Sequence, residues 1–145
     1  MTFRIELRNS GIEYKVISME QNKITKLEDI IAWQRARELL KMVYDSTKNL
    51  PKSEEYNLKK HQRECVRNIP GNIGEGFGRF NYQECLQFYR IARGSLHELK
   101  SDVYCCFDLG YYDAKSFEDL IDKIEEVNRL LNGLIKSSVL IKFKK

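Results

Sequence analysis

RNIPGNIGEGFGRF, residues 67–80, holds four of the eight glycines and one of the two prolines in the whole 145-residue chain. Its reading decides the fold. A glycine loop that cradles phosphate sits between a strand and a helix, whereas glycines at helical spacing sit where two helices approach closely. The phosphate loop needs G-x-x-x-x-G-K-[ST], and the dinucleotide fingerprint needs G-x-G-x-x-G. GNIGEG has the spacing G-x-x-G-x-G, has no lysine, and follows a helical pattern rather than a strand. The stretch therefore reads as the end of a helix, and nucleotide binding is not expected.

Each glycine in a helix costs about 1 kcal/mol relative to alanine, and a proline removes a hydrogen bond and tends to kink the rod. A close contact should offset those costs. Gly71, Gly74 and Gly78 share one face, and Asn72, Glu75 and Arg79 share an adjacent stripe at i,i+3 and i,i+4 spacing. ARGSLHE, residues 92–98, offers the small pair Gly94 and Ser95 between Arg93 and Glu98. The expectation is that Gly71 to Gly76 faces Gly94 and Ser95, with Glu75, Arg79, Arg93 and Glu98 in one polar network. No nucleophile or ligand set accompanies these acids, so structural ion pairing is favoured, no catalytic residue is assigned and no enzyme is expected.

Outward from this stretch the apolar period is helical. Thr25 and Glu28 suggest a capping box, and Leu27, Ile30, Ala36, Leu40, Val43 and Tyr44 give an apolar face ending near Lys48. Asn49, Leu50 and Pro51 break it. Ser53 is the expected cap of a second helix with Leu58, Gln62, Cys65, Ile69, Ile73 and Phe77 inward. Asn81 and Glu84 signal a third start, after which Cys85, Tyr89, Ala92, Leu96, Leu99, Val103 and Cys106 step by three and four to a stop at Gly110. Phe117, Leu120, Ile124, Val127, Leu131 and Leu134 mark the fourth helix. Four such helices with short connections predict an all-α, antiparallel up-down-up-down bundle over residues 23–138. Residues 139–145 read as a basic tail. Residues 1–22 read as an extension in which Phe3, Ile5 and Leu7, then Ile12, Tyr14 and Val16, alternate about a turn at Asn9 to Gly11, as in a β-hairpin. Met19 is an alternative start.

Composition bounds the rest. An apolar fraction of 42% and a charged fraction of 32% describe one globular domain. No apolar run approaches the roughly 18 residues of a membrane span, and the N-terminus lacks a signal-peptide pattern, so a cytoplasmic protein without a membrane partner is expected. Cys65, Cys85, Cys105 and Cys106 contain no C-x-x-C pair, and His61 and His97 are read as having no ligand partner, so neither a metal nor a cofactor is expected. The net charge of +4 is unevenly spread: residues 35–100 carry 13 basic against 8 acidic side chains, and residues 102–126 carry 2 against 8.

LEDIIAWQRARELLKMVYDSTKNLP (27–51), NIPGNIGEGFGR (68–79), FYRIARGSLHEL (88–99) and DLGYYD (108–113) together resemble the 23S rRNA intervening-sequence protein family. The resemblance covers residues 26–136. It implies an antiparallel four-helix bundle that assembles into a cyclic homopentamer, and it points to Trp33, Pro70, Asn72, Ile73, Glu75, Gly76, Arg79, Arg93, Gly94, Ser95 and Glu98. The chain departs from the family pattern at Asn68, Gly71 and Gly74, where extra glycine should loosen the second helix. The fold is also similar to that of the accessory proteins of diversity-generating retroelements, which bind nucleic acid and a reverse transcriptase.

Two readings follow. In the first, a non-enzymatic homo-oligomeric bundle binds structured RNA or DNA through Arg35, Arg37, Lys59, Lys60, Arg63, Arg67, Arg79, Arg90 and Arg93, as an accessory to a larger nucleoprotein complex. In the second, the bundle is a protein-interaction scaffold whose basic and acidic segments pair between subunits or with a polypeptide partner such as a reverse transcriptase.

Overall fold

The structure, a computed structural model, describes the backbone of residues 3–7, 14–18 and 24–142, with side chains for residues 24–139. Four α-helices follow one another: α1 (Ile31–Thr47), α2 (Leu58–Phe77), α3 (Tyr82–Asp108) and α4 (Ala114–Lys142). Each packs on its neighbour in sequence, and α4 closes back on α1. The result is the expected bundle around one core. α4 continues past residue 138, so the first part of the expected tail is helical. At the N-terminus, β1 (Phe3–Leu7) and β2 (Tyr14–Ser18) pair antiparallel with Ile5 opposite Val16. The turn of that hairpin lies outside the described residues.

The core follows the predicted periodicity, rotated by one residue in places. α1 buries Ala32, Ala36, Leu39, Val43 and Thr47, so Leu39 and not Leu40 points to the centre. α3 buries Leu86 in place of Cys85, then Tyr89, Ala92, Leu96, Leu99, Val103 and Cys106 as expected. α4 supplies Leu120, Ile124, Val127 and Leu131. Each fully buried aliphatic side chain contributes about 1.5–3 kcal/mol relative to exposure.

Helix starts differ from the sequence expectation at two of three places. Glu28 is not the capping acid of α1. The capping acid is Asp29, which closes the 3-10 turn ahead of α1, its Oδ2 accepting from the Thr25 N–H at 3.0 Å, the Thr25 hydroxyl at 3.1 Å and the Lys26 N–H at 3.2 Å. α1 itself starts after Ile30 with no side-chain cap. These bonds hold the Asp29 carboxyl below its ordinary pKa. A 3-10 turn over Leu27–Asp29 precedes the α-helix, and Ile30 is extended between them. Ser53 likewise sits inside a 3-10 turn, Lys52–Glu54, and α2 starts after Asn57. Asn81 caps α3 as read, Oδ1 accepting from the Gln83 N–H at 2.9 Å. Gly110, just past the Leu109 C-cap of α3, turns the chain toward α4 with φ at 76°, a conformation open to glycine.

Candidate functional site

α2 runs without a break through Pro70, Gly71, Gly74 and Gly76, so the extra glycines do not interrupt it. The close approach that offsets their cost is made at Gly76 alone. A Cβ there would lie 2.8 Å from Tyr89 Cε1 and 3.1 Å from the Cys85 carbonyl oxygen on α3. Gly71 and Gly94 have nothing within 4 Å of such a Cβ, and Gly74 meets only Leu27. The expected facing of Gly71–Gly76 and Gly94–Ser95 is therefore corrected to Gly76 against Tyr89. Gly94 is exposed, a turn and more beyond the contact.

The expected four-residue polar network is also corrected, because its members point in three directions. Arg79 binds Glu75 within the end of α2 at 2.6 Å and lays its guanidinium over the Phe88 ring, 5.1 Å from the centroid. Arg93 donates across to Asn132 Oδ1 on α4 at 3.0 Å. Asn72 donates to its own helix at the Asn68 carbonyl, 2.6 Å away.

Glu98 joins a different cluster, which the sequence reading missed. His61 and Cys65 lie one turn apart on α2, and Glu98 and Asp102 lie one turn apart on the facing part of α3. His61 Nδ1 is 2.5 Å from Asp102 Oδ2, and His61 Nε2 is 3.4 Å from Glu98 Oε2. Cys65 Sγ is 3.6 Å from both His61 Nε2 and Glu98 Oε2. The Asp102 hydrogen bond raises the imidazole pKa, against burial and with help from the Glu98 charge. Burial, aided by Glu98 and Asp102, pushes the Cys65 thiol up to about 12. The statement that His61 has no ligand partner is thus overturned: His61, Cys65 and Glu98 bring three donor atoms together. Beneath this cluster, buried Gln62 donates to Cys106 Sγ at 3.2 Å and accepts from the Tyr112 hydroxyl at 3.0 Å. All four cysteines are free thiols.

The nine cationic candidates divide by face. On α1, Trp33, Arg37, Lys41, Tyr44 and Lys48 follow steps of four and three and so form one stripe. On α2, Lys60, Arg63 and Arg67 do the same. Arg63 ties the stripes together: Nε donates to Thr47 Oγ1 at 3.0 Å, Nη2 to the Tyr44 carbonyl at 3.4 Å, and the guanidinium lies 4.5 Å from the Tyr44 ring centroid. Arg37 covers the Trp33 ring at 4.7 Å. Lys48, Lys59 and Lys60 pair with Asp45, Glu55 and Glu64. Arg37, Lys41, Arg63 and Arg67 make no ion pair among the described residues.

The remaining candidates lie elsewhere. Arg35 turns to α4, binding Glu126 at 3.1 Å as well as Glu38, while Lys123 bridges Glu38 and Glu126. The open groove on that side is lined by Met42, Asp119, Asp122, Lys123, Glu126 and Arg129. Arg79, Arg90 and Arg93 belong to the end of α2 and to α3. The cations without an ion pair among the described residues, Arg37, Lys41, Arg63 and Arg67, thus lie on the α2 side of α1, whereas on the α4 side Arg35 and Lys123 are paired with Glu38 and Glu126. Lys41 and Lys48 complete the α1 stripe and were not singled out in the sequence, although their spacing from Arg37 is visible there.

No described helix is long and apolar enough to cross a membrane. Among protein families, the model described as the 23S rRNA-intervening sequence protein matches residues 28–133. Among solved structures, the fold is similar to that of a protein of unknown function from the S23 ribosomal protein family of Bacteroides thetaiotaomicron. That likeness has a TM-score of 0.68 and 19% identity, covering 73% of this chain and 99% of the other, and it speaks for the fold alone. No curated protein matches the chain.

Proposed function

Because the chain belongs to the 23S rRNA-intervening sequence protein family, we propose that it is a non-enzymatic bundle that binds structured RNA or DNA through the α1–α2 face. The observation that carries this reading is the placement of Arg63, which joins two cationic stripes into one surface with tryptophan and tyrosine rings between the charges. Phosphate contacts from arginine and lysine supply sequence-independent affinity, and the half-buried Trp33 and Tyr44 rings hold Arg37 and Arg63 in place on that face. Arg37, Lys41 and Arg67 are the phosphate-binding residues in this account. Arg63 is a positioning residue, since its guanidinium is already engaged by Thr47 and Tyr44. Lys59 and Lys60 extend the stripe at its end. Arg35, Arg79, Arg90 and Arg93 are left out of the interface.

The proposal includes assembly into a homo-oligomer, a pentamer by resemblance to the family, which would repeat the cationic face around a ring and multiply weak contacts. An accessory role beside a larger nucleoprotein partner, of the kind a reverse transcriptase would be, fits such a ring. Binding of labelled structured RNA and of duplex DNA at about 50 mM salt tests the reading, because phosphate-driven affinity is strongest there. Measurable binding supports it. No binding to either, together with an oligomer that dissociates when Arg63 and Arg67 are reversed in charge, supports the protein-scaffold reading instead.

A further inference from the structure

The cluster between α2 and α3 has a geometry that ion pairing alone does not require. A tetrahedral zinc ion bound at about 2.0 Å to nitrogen and oxygen and about 2.3 Å to sulfur sets its ligand atoms roughly 3.3 to 3.6 Å apart. The three separations here are 3.4 Å for His61 Nε2 to Glu98 Oε2, 3.6 Å for Cys65 Sγ to His61 Nε2 and 3.6 Å for Cys65 Sγ to Glu98 Oε2. They are three edges of one face of such a tetrahedron.

The imidazole is also held in the tautomer a metal needs. With Nδ1–H donated to Asp102 Oδ2, the lone pair on Nε2 faces the thiol and the Glu98 carboxylate. A carboxylate behind the far nitrogen is the usual support of a metal-bound histidine, fixing its orientation and raising its basicity. Asp102 is well shielded, its side chain 14% exposed, whereas Glu98 is 63% exposed. Cys65 and the supporting Asp102 are thus inside, while His61, with its side chain 47% exposed, and Glu98 stand at the rim.

We propose that His61 Nε2, Cys65 Sγ and Glu98 Oε2 form a zinc(II) site that clamps α2 to α3, with Asp102 orienting His61 and a fourth position open to water. Binding expels the thiol proton, and the Nε2 proton of His61 where the imidazole carries one, to solvent, and the cation's charge stabilises the thiolate that burial disfavours in the metal-free protein. The mixed nitrogen, sulfur and oxygen donors suit zinc better than magnesium or calcium, which take oxygen. The inference is independent of nucleic-acid binding, because none of these residues lies in the α1–α2 stripes.

The test is a titration of the full chain with Zn²⁺ against a chromophoric chelator, with Co²⁺ as a spectroscopic probe. One equivalent of Zn²⁺ per chain is expected, together with a rise in thermal midpoint on loading. Co²⁺ should give a thiolate-to-metal charge-transfer band and visible bands of tetrahedral intensity. Asp102→Asn should weaken binding about 10- to 100-fold. Cys65→Ser should abolish the charge-transfer band, and Cys105→Ser should leave it unchanged. Glu98→Gln is at an exposed position and keeps the fold, so it remains informative if the buried Cys65 variant does not fold. A Co²⁺ complex of the wild-type chain without a thiolate band, binding below one equivalent, or an affinity indifferent to Glu98→Gln overturns the proposal.

Discussion

Gly76 on α2 presents its bare backbone to the ring of Tyr89 on α3, so closely that a methyl group at Gly76 would stand 2.8 Å from the ring and 3.1 Å from a backbone oxygen. The ring is buried and the Cys85 carbonyl belongs to the α3 backbone, so neither retreats cheaply. Gly76→Ala is expected to cost about 1–3 kcal/mol through overpacking, measured as a lower midpoint in thermal or denaturant unfolding. Gly71→Ala and Gly94→Ala are the matched comparisons. With open space at both positions, helix propensity should raise stability by up to about 1 kcal/mol. A fall at either position, measured with assembly state, would show that a second molecule covers that face.

The buried pair Tyr112 and Gln62 makes a second prediction. Gln62 is 0% exposed and Tyr112 5%, and the Tyr112 hydroxyl is the donor to Gln62 Oε1. Tyr112→Phe leaves that oxygen buried without a donor, a cost of about 1–3 kcal/mol. Replacing both, with Gln62→Leu and Tyr112→Phe together, should recover part of the loss, since no polar partner is then stranded. A double-mutant cycle in urea measures that coupling. Strictly additive losses would contradict the network.

The four thiols should react at very different rates in the metal-free protein. Cys105 is exposed, whereas Cys65 and Cys106 are buried, and burial pushes their thiols up to about 12 and about 11. The thiolate is the reactive species. An aromatic disulfide reagent at neutral pH should therefore modify Cys105 first, and Cys65 and Cys106 only as the protein unfolds. Peptide mapping after brief exposure checks the order.

The helices were legible in the sequence because a 3.6-residue apolar period survives any detail of packing. The rotation of each helix was less so. Leu39 and Leu86 face the core where Leu40 and Cys85 were expected, a shift of one position or about 100° that is set by how neighbouring ridges interlock and not by the pattern alone. Helix starts were misplaced where a 3-10 turn intervenes: Asp29, as the acid of that turn, takes the Lys26 and Thr25 N–H groups that a cap at Glu28 was expected to satisfy. The Asn81 cap leads straight into α3 and was read correctly.

The candidate sites divide in the same way. His61 with Cys65 and Glu98 with Asp102 each stand at i,i+4, a signal visible in the sequence, yet which turn of α3 faces which turn of α2 is decided by interhelix register. The network expected around Glu75 failed for that reason: Arg79 and Arg93 share polarity and proximity in sequence but project toward different helices. The α1 stripe of Trp33, Arg37, Lys41, Tyr44 and Lys48 could have been read from spacing. Its union with α2 could not, because it depends on where Arg63 lands.

Phosphate binding on the proposed α1–α2 face is read from the salt dependence of nucleic-acid affinity. For a structured RNA or duplex DNA, the slope of log affinity against log salt reports the number of phosphates neutralised, close to one per contact. Arg37→Ala, Lys41→Ala and Arg67→Ala together should make that slope shallower by about 2 to 3 and weaken binding at low salt, with the unfolding midpoint little changed. Arg90→Ala on α3 should leave the slope as it is. A wild-type slope retained by the triple variant, or lost equally in Arg90→Ala, would contradict the assignment.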